Sequence, residues 1–168
     1  MLTSIVATKT STFDGGVGGD TITGANNGGV NTYIFDAGDG VAANSGGYPA
    51  QNGAFGAVIA WDGNSGAPDV INGFSIANDK IDGDVTGGPT EVNTAGGNPL
   101  TLATDEIYLL IGDYNAGNTT FTANLANGND AIVLMGGDGL NTANIFTTSD
   151  DMFIMTGVGT DLTAANFV

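Results

Sequence analysis

The chain has 168 residues, 41% of them hydrophobic, and a formal net charge of −16, because only Lys9 and Lys80 stand against eighteen acids. Such a chain repels nucleic acid and anionic membranes, which draw their affinity for proteins from Lys and Arg, and it attracts cations. It has no histidine and no cysteine, which excludes nucleophilic triads, thiolate sites, disulfides and the usual zinc ligands.

The length fits a single β domain over 1–168. Sixteen acids are Asp and only Glu91 and Glu106 are Glu. Asp suits turns, so the acids are expected in loops. The N-terminal segment "MLTSIVATKTSTF" (1–13) lacks the basic start and long apolar core of a Sec signal. It is β-prone, and reads either as the first strand of its own domain or as an exchangeable strand that completes a neighbour's sheet.

The next segment, "GGVGGDTIT" (15–23), matches every fixed position of the nonapeptide G-G-x-G-x-D-x-U-x. Calcium takes six to eight oxygen ligands, and glycine lets the backbone turn its carbonyls toward the ion. Asp14, Gly16, Gly18 and Asp20 are therefore candidate ligands, with Ile22 pointing inward. The alternative is a glycine loop ahead of a strand. "GANNGGVNTYIF" (24–35) looks like a damaged repeat, with Asn31 where an Asp is expected, and "DAGDG" adds Asp36 and Asp39. Residues 38–53 read as a long loop.

Farther on, "FGAVIAW" (55–61) and "DVINGFSI" (69–76) read as strands. Trp61 beside Asp62 either stacks on a sugar or closes a strand in the core. Asp62, in an acidic turn with Asn64, is a weaker ligand candidate. In "DGDVTGG" (82–88), Asp82, Asp84 and Thr86 stand at positions 1, 3 and 5, with Gly87 at 6, as in the first half of an EF-hand loop. Position 12 is Asn93 and no helices flank the loop, so it is not an EF-hand; Glu91 is a substitute ligand. A polar loop fills 83–99. "EIYLLIG" (106–112), "TTFTANL" (119–125), "AIVLM" (131–135) and "DMFIM" (151–155) complete the strands. Asp-Gly and Asn-Gly dipeptides punctuate the chain and favour tight turns. "AIVLM" is apolar throughout and calls for cover on both faces. The fold class is all-β: a β-sandwich or short β-roll-like domain with many short strands and Gly/Asp/Asn-rich calcium-binding turns. No stretch approaches the ~18 apolar residues of a membrane span.

"GGVGGDTITGANNGGVNTYIFDAGDG" resembles the end of a repeats-in-toxin (RTX) calcium-binding array. "DVINGFSIANDKIDGD" (69–84) resembles the segment that follows such arrays, and its Asp79 joins the candidate ligands. "DLTAANFV" (161–168) looks like the tails of proteins exported by type I secretion. The resemblance implies an extracellular protein exported without an N-terminal signal peptide, an uncleaved C-terminal signal and folding triggered by Ca²⁺. In the family each ion sits between two successive turns, and here the partner turn is degenerate. Three completions stay open: same-chain residues such as Asp36 and Asp39, water, or a neighbouring molecule.

A carboxylate pair could hydrolyse glycosides, yet no pair stands out among so many Asp residues, and the chain is not expected to be an enzyme. The expected function is that of a secreted calcium-binding structural protein that self-assembles into an extracellular filament or surface layer. Its partners are then copies of itself. The alternative is a calcium-dependent adhesin or carbohydrate-binding module that meets cell-surface glycans.

Overall fold

Among the described residues, short β-branched segments cut by glycine and asparagine become strands. In the computed structural model residues 2–3, 10–24, 28–36, 58–60, 68–83, 91–94, 106–124, 126–135, 151–159 and 162–168 are described. Asp39, Trp61, Asp62, Asp84 and Thr86 lie outside them, as do most of the two expected loops.

The strands are β1 (Leu2–Thr3), β2 (Ser11–Asp14), β3 (Thr21–Thr23), β4 (Asn31–Phe35), β5 (Val58–Ala60) and β6 (Asp69–Asn72). There follow β7 (Lys80–Gly83), β8 (Glu91–Thr94), β9 (Glu106–Asn115), β10 (Thr120–Ala123), β11 (Asp130–Met135) and β12 (Asp151–Met155). The larger sheet runs β1-β3-β6-β12-β11-β9-β10-β5, with β8 also beside β9; the smaller runs β2-β4-β7. Neither sheet closes on itself, and the all-β expectation holds.

Leaving aside β5, which pairs with β10 at the far edge of the larger sheet, the strands from β1 to β7 alternate between the sheets. β1, β3 and β6 stack in parallel in the larger sheet, and β2, β4 and β7 in the smaller one. One strand from each sheet makes a rung. Leu2 pairs with Ile22 and Ser11 with Asn31, each twenty residues apart. The third rung comes much later in the chain, with Val70 opposite Thr21 and Lys80 opposite Thr32. β12 then joins β6 in parallel and the sheet turns antiparallel through β11, β9 and β10 to β5.

Alternation places every second residue of each rung in one shared core. Phe13, Tyr33, Phe35 and Ile81 of the smaller sheet meet Ile22, Ile71, Phe153 and Met155 of the larger. Phe35 stacks on Phe153 with ring centroids 4.0 Å apart and planes within 6°. In β11, Ala131, Ile132 and Val133 are consecutive and all buried, as its uninterrupted apolar sequence required. Ile132 pairs with Ile154, and Ile154 with Val70; this buried row is a second apolar layer on the opposite face of the sheet.

The C-terminal tail packs as a further step of the smaller sheet. Phe167 bridges Ile81 in parallel and Val168 N–H donates to the Ile81 carbonyl. Leu162, Asn166 and Phe167 are buried. Asn166 Nδ2 donates to the Ile76 carbonyl at 2.8 Å, and the Lys80 ammonium donates to the Ala165 carbonyl. A tail held by two apolar side chains and a satisfied buried amide contributes to stability. Phe167→Ala is expected to cost roughly 3–5 kcal/mol, the usual range for emptying a buried aromatic site. Urea unfolding measures it; an unchanged midpoint would show that the tail does not belong to the core.

Candidate metal centre

The inner rows of the second and third rungs each begin with a polar residue. Asp20 and Asp69 come immediately before the paired residues Thr21 and Val70. Asn31 and Asp79 come immediately before Thr32 and Lys80. By alternation these residues share the inward face with Ile22, Ile71, Tyr33 and Ile81. The interior is thus apolar in the middle and polar at its two edges. Asp69 and Asp79 are wholly buried, and Asn31 nearly so.

At the first edge the chain leaves β2 and enters β3. Asp14 Oδ1 accepts the Gly16 N–H at 3.0 Å, which starts the turn. Gly16 (φ 68°) and Gly18 (φ 119°) then adopt backbone that side-chain-bearing residues rarely hold. The turn folds the Asp20 side chain back over Gly15. A Cβ placed on Gly15 would stand 3.3 Å from Asp20 Cβ and 3.6 Å from its Oδ2. Asp20 N–H donates to Asp69 Oδ1 at 2.6 Å, and Val70 N–H donates to the Asp20 carbonyl at 2.8 Å. Two carboxylates therefore occupy equivalent places on neighbouring rungs beside a glycine turn. Carboxylate and carbonyl oxygens are the donors that Ca²⁺ prefers. Among the described residues no three acidic side chains converge on one point, so any further ligand would be a backbone carbonyl, water or a group from outside the described residues.

Asp69 is not among the ligands that the sequence singles out, because it reads there as the first residue of an apolar strand. The signal that could have found it is the match of "DTI" (20–22) with "DVI" (69–71): in both, Asp stands two residues before an inward isoleucine.

The other candidates lie apart. Asp36 is exposed just past β4. Asp82 sits within β7 and is exposed. Ile34 lies between it and Asp14 in the strand register, so Asp14 and Asp82 are two strand spacings apart, roughly 10 Å. Asp39, Asp62, Asp84 and Thr86 fall outside the described residues. The acids of the β9–β11 end tie loops together. Asp130 accepts N–H bonds from Tyr114 and Gly157, and Asp113 accepts from Asn124 and Asn129.

At the second edge Asp79 serves as an acceptor. Its Oδ1 takes Asn31 N–H at 2.9 Å and Asn31 Nδ2 at 3.0 Å, and its Oδ2 takes Ser75 N–H at 2.8 Å. Tyr33 packs between Phe13 and Phe74, with ring centroids 5.3 and 5.5 Å away. Its hydroxyl lies against Gly24, where any Cβ would collide with it. That hydroxyl is buried without a hydrogen-bond partner. Burial, and secondarily the Asp79 charge, push the phenol pKa well above its ordinary value.

Comparison with family models, with curated proteins and with solved structures finds no match for this chain.

The unpartnered phenol yields a prediction. Tyr33→Phe removes a buried hydroxyl that makes no bond, so stability should stay level or rise by about 1 kcal/mol. In the unaltered protein the neutral phenol is the form that folds. Its contribution is complete below the ordinary tyrosine pKa and is lost as pH rises beyond it. Alkaline unfolding of Tyr33→Phe should therefore move to higher pH, as followed by circular dichroism. A marked loss of stability at neutral pH would reveal a bond to the hydroxyl.

Proposed function

We propose that this is an extracellular, calcium-binding structural protein of RTX-like β-roll architecture, in which Ca²⁺ joins neighbouring rungs and copies assemble into a filament or surface layer. The observation that carries the reading is the pair Asp20–Asp69. A buried carboxylate is costly unless paired, hydrogen-bonded or bound to metal. Here the wholly buried Asp69 stands on one rung and the half-buried Asp20 on the next, beside a glycine turn of matching sequence. The parallel alternation of β1 to β4, β6 and β7 between two sheets, with twenty-residue steps at its start, supports a roll.

Asp20 and Asp69, with carbonyls of the 15–19 turn, are the residues that would hold the ion. It would supply positive charge between two rungs, each of which brings a carboxylate to this edge. The export route inferred from "DLTAANFV" explains how such a chain would reach calcium outside the cell. Self-assembly is supported by the placement of β1 and β2 at the ends of their open sheets, since edge strands offer main-chain groups to another chain.

Thermal unfolding with and without a strong chelator tests the ion. Calcium at a hundred times its dissociation constant adds ~2.7 kcal/mol, which raises Tm by roughly 5–11 °C for a domain of this size. Asp20→Asn and Asp69→Asn should each abolish most of that rise. A wild-type Tm indifferent to calcium would remove the proposal's basis. Negative-stain microscopy tests assembly: filaments or sheets are expected in calcium and single particles in chelator. Deleting residues 1–12 should stop polymerisation if the first rung makes the contact. A chain that remains monomeric at saturating calcium would refute assembly.

A further inference from the structure

The two edges of the interior solve one electrostatic problem in different ways. At both, polar residues open the inward rows of neighbouring rungs, and the backbone N–H of the earlier one donates to the carboxylate of the later one. At the first edge both residues are carboxylates. At the second, the earlier rung carries Asn31 and the later one Asp79. The Asn31 amide donates to Asp79 Oδ1 at 3.0 Å, and the same oxygen accepts the Asn31 backbone N–H at 2.9 Å. Ser75 N–H occupies Oδ2 at 2.8 Å. A cation at this carboxylate would have to displace donors already seated in the interior.

We propose that the Asn31–Asp79 pair is an ion-free clamp that takes the place of a bound cation, so that the second edge holds its rungs together at any calcium concentration. Of these two edges only the Asp20–Asp69 one then depends on calcium; this contrast rests on the calcium reading above, whereas the clamp itself does not. The cost of the arrangement is visible. Asn31 Oδ1 is buried with no hydrogen-bond partner. Turning the amide over would point that oxygen at the carboxylate, so the negative charge of Asp79 fixes Nδ2 toward it. The asparagine is therefore a necessary part of the clamp: an Asp in its place would set two carboxylates against each other, both sealed from water.

The test uses Asn31→Asp and the exchanged pair Asn31→Asp with Asp79→Asn, each unfolded thermally in chelator and in calcium. Opposing a buried charge with its like, in place of a hydrogen-bonded partner, should lower Tm in chelator by about 6–20 °C. Calcium should restore most of the loss by bridging the two carboxylates. The exchanged pair re-creates one amide and one carboxylate and removes the like-charge opposition, but the amide at position 79 then turns its NH2 toward one backbone N–H that Asp79 had accepted, so it should recover part of the loss in chelator, without calcium. Because that comparison is made in chelator, it stands even if the wild type proves insensitive to calcium. If Asn31→Asp equals the wild type in chelator, the clamp is overturned. It is overturned equally if the deficit is unmoved by calcium, or if the exchanged pair is no better than the single variant. Should Asn31→Asp fail to fold, recovery of folding by the exchanged pair supports the clamp, and failure of both overturns it.

Discussion

The structure depends on how two buried carboxylates are compensated. Asp69 and Asp79 are wholly enclosed in a chain that already carries sixteen excess negative charges. Each opens the inner row of a strand, Asp69 that of β6 and Asp79 that of β7. An ionised carboxylate in such a place is tolerable only if donors or cations surround it. Asp79 has its donors in Asn31 and Ser75. Asp69 takes the N–H of Asp20, and so pairs with the backbone of a residue that brings a second carboxylate to the same edge. The apolar core between the edges can form only where both are settled, because Ile71 and Ile81 lie two residues beyond these acids.

The middle of the interior needs no such compensation. The large apolar side chains of the smaller sheet sit on strands whose alternation is strict: Phe13, then Tyr33 with Phe35, then Ile81. Stacking of Phe35 on Phe153 links the wound half of the chain to the antiparallel half. Two strands of the larger sheet, β11 and β12, are buried on both faces, so that sheet serves as wall to the wound core and floor to a second apolar layer. The tail ends on the other side. Phe167 fills the place beside Ile81 that a further rung would take, and Asn166 satisfies the carbonyl of the turn that holds Asp79.

The strands were largely legible because their residues obey local rules. "AIVLM" is buried at consecutive positions as its sequence predicts, and "NTYIF", a short apolar segment in the sequence, is a strand of alternating burial. The glycine turn was legible because Gly16 and Gly18 need φ values that few other residues hold. The partner of Asp20 was not legible. Twenty residues separate the first two rungs, but forty-nine separate Thr21 from Val70, so a search at constant period looks past Asp69. Its neighbours Val70 and Ile71 further disguise it as part of an apolar strand. Asp79 could be read as a candidate ligand from sequence because sequence does not reveal which donors reach it. Asn31 could be read as decay in a repeat for the same reason. Only the register, with Thr32 opposite Lys80, brings the two together.

That register changes the meaning of Asn31, which stands where the repeat pattern would carry an Asp. A repeat that loses an Asp loses a negative charge, and in an isolated turn the result is a weaker site. Between two stacked rungs the consequence is the opposite. One Asp replaced by Asn converts a repulsive pair into a donor and an acceptor, which then hold each other without help. Under the proposed reading, a chain exported into calcium carries one edge that can lock as soon as its rungs meet and one that waits for the ion. The difference is useful to a protein with so much like charge. Self-repulsion opposes compaction, and a clamp independent of calcium gives the second and third rungs one fixed register while the acidic edge is still open. The ion then has a preformed pair of carboxylates to bind, so less of its binding free energy is consumed in ordering the chain.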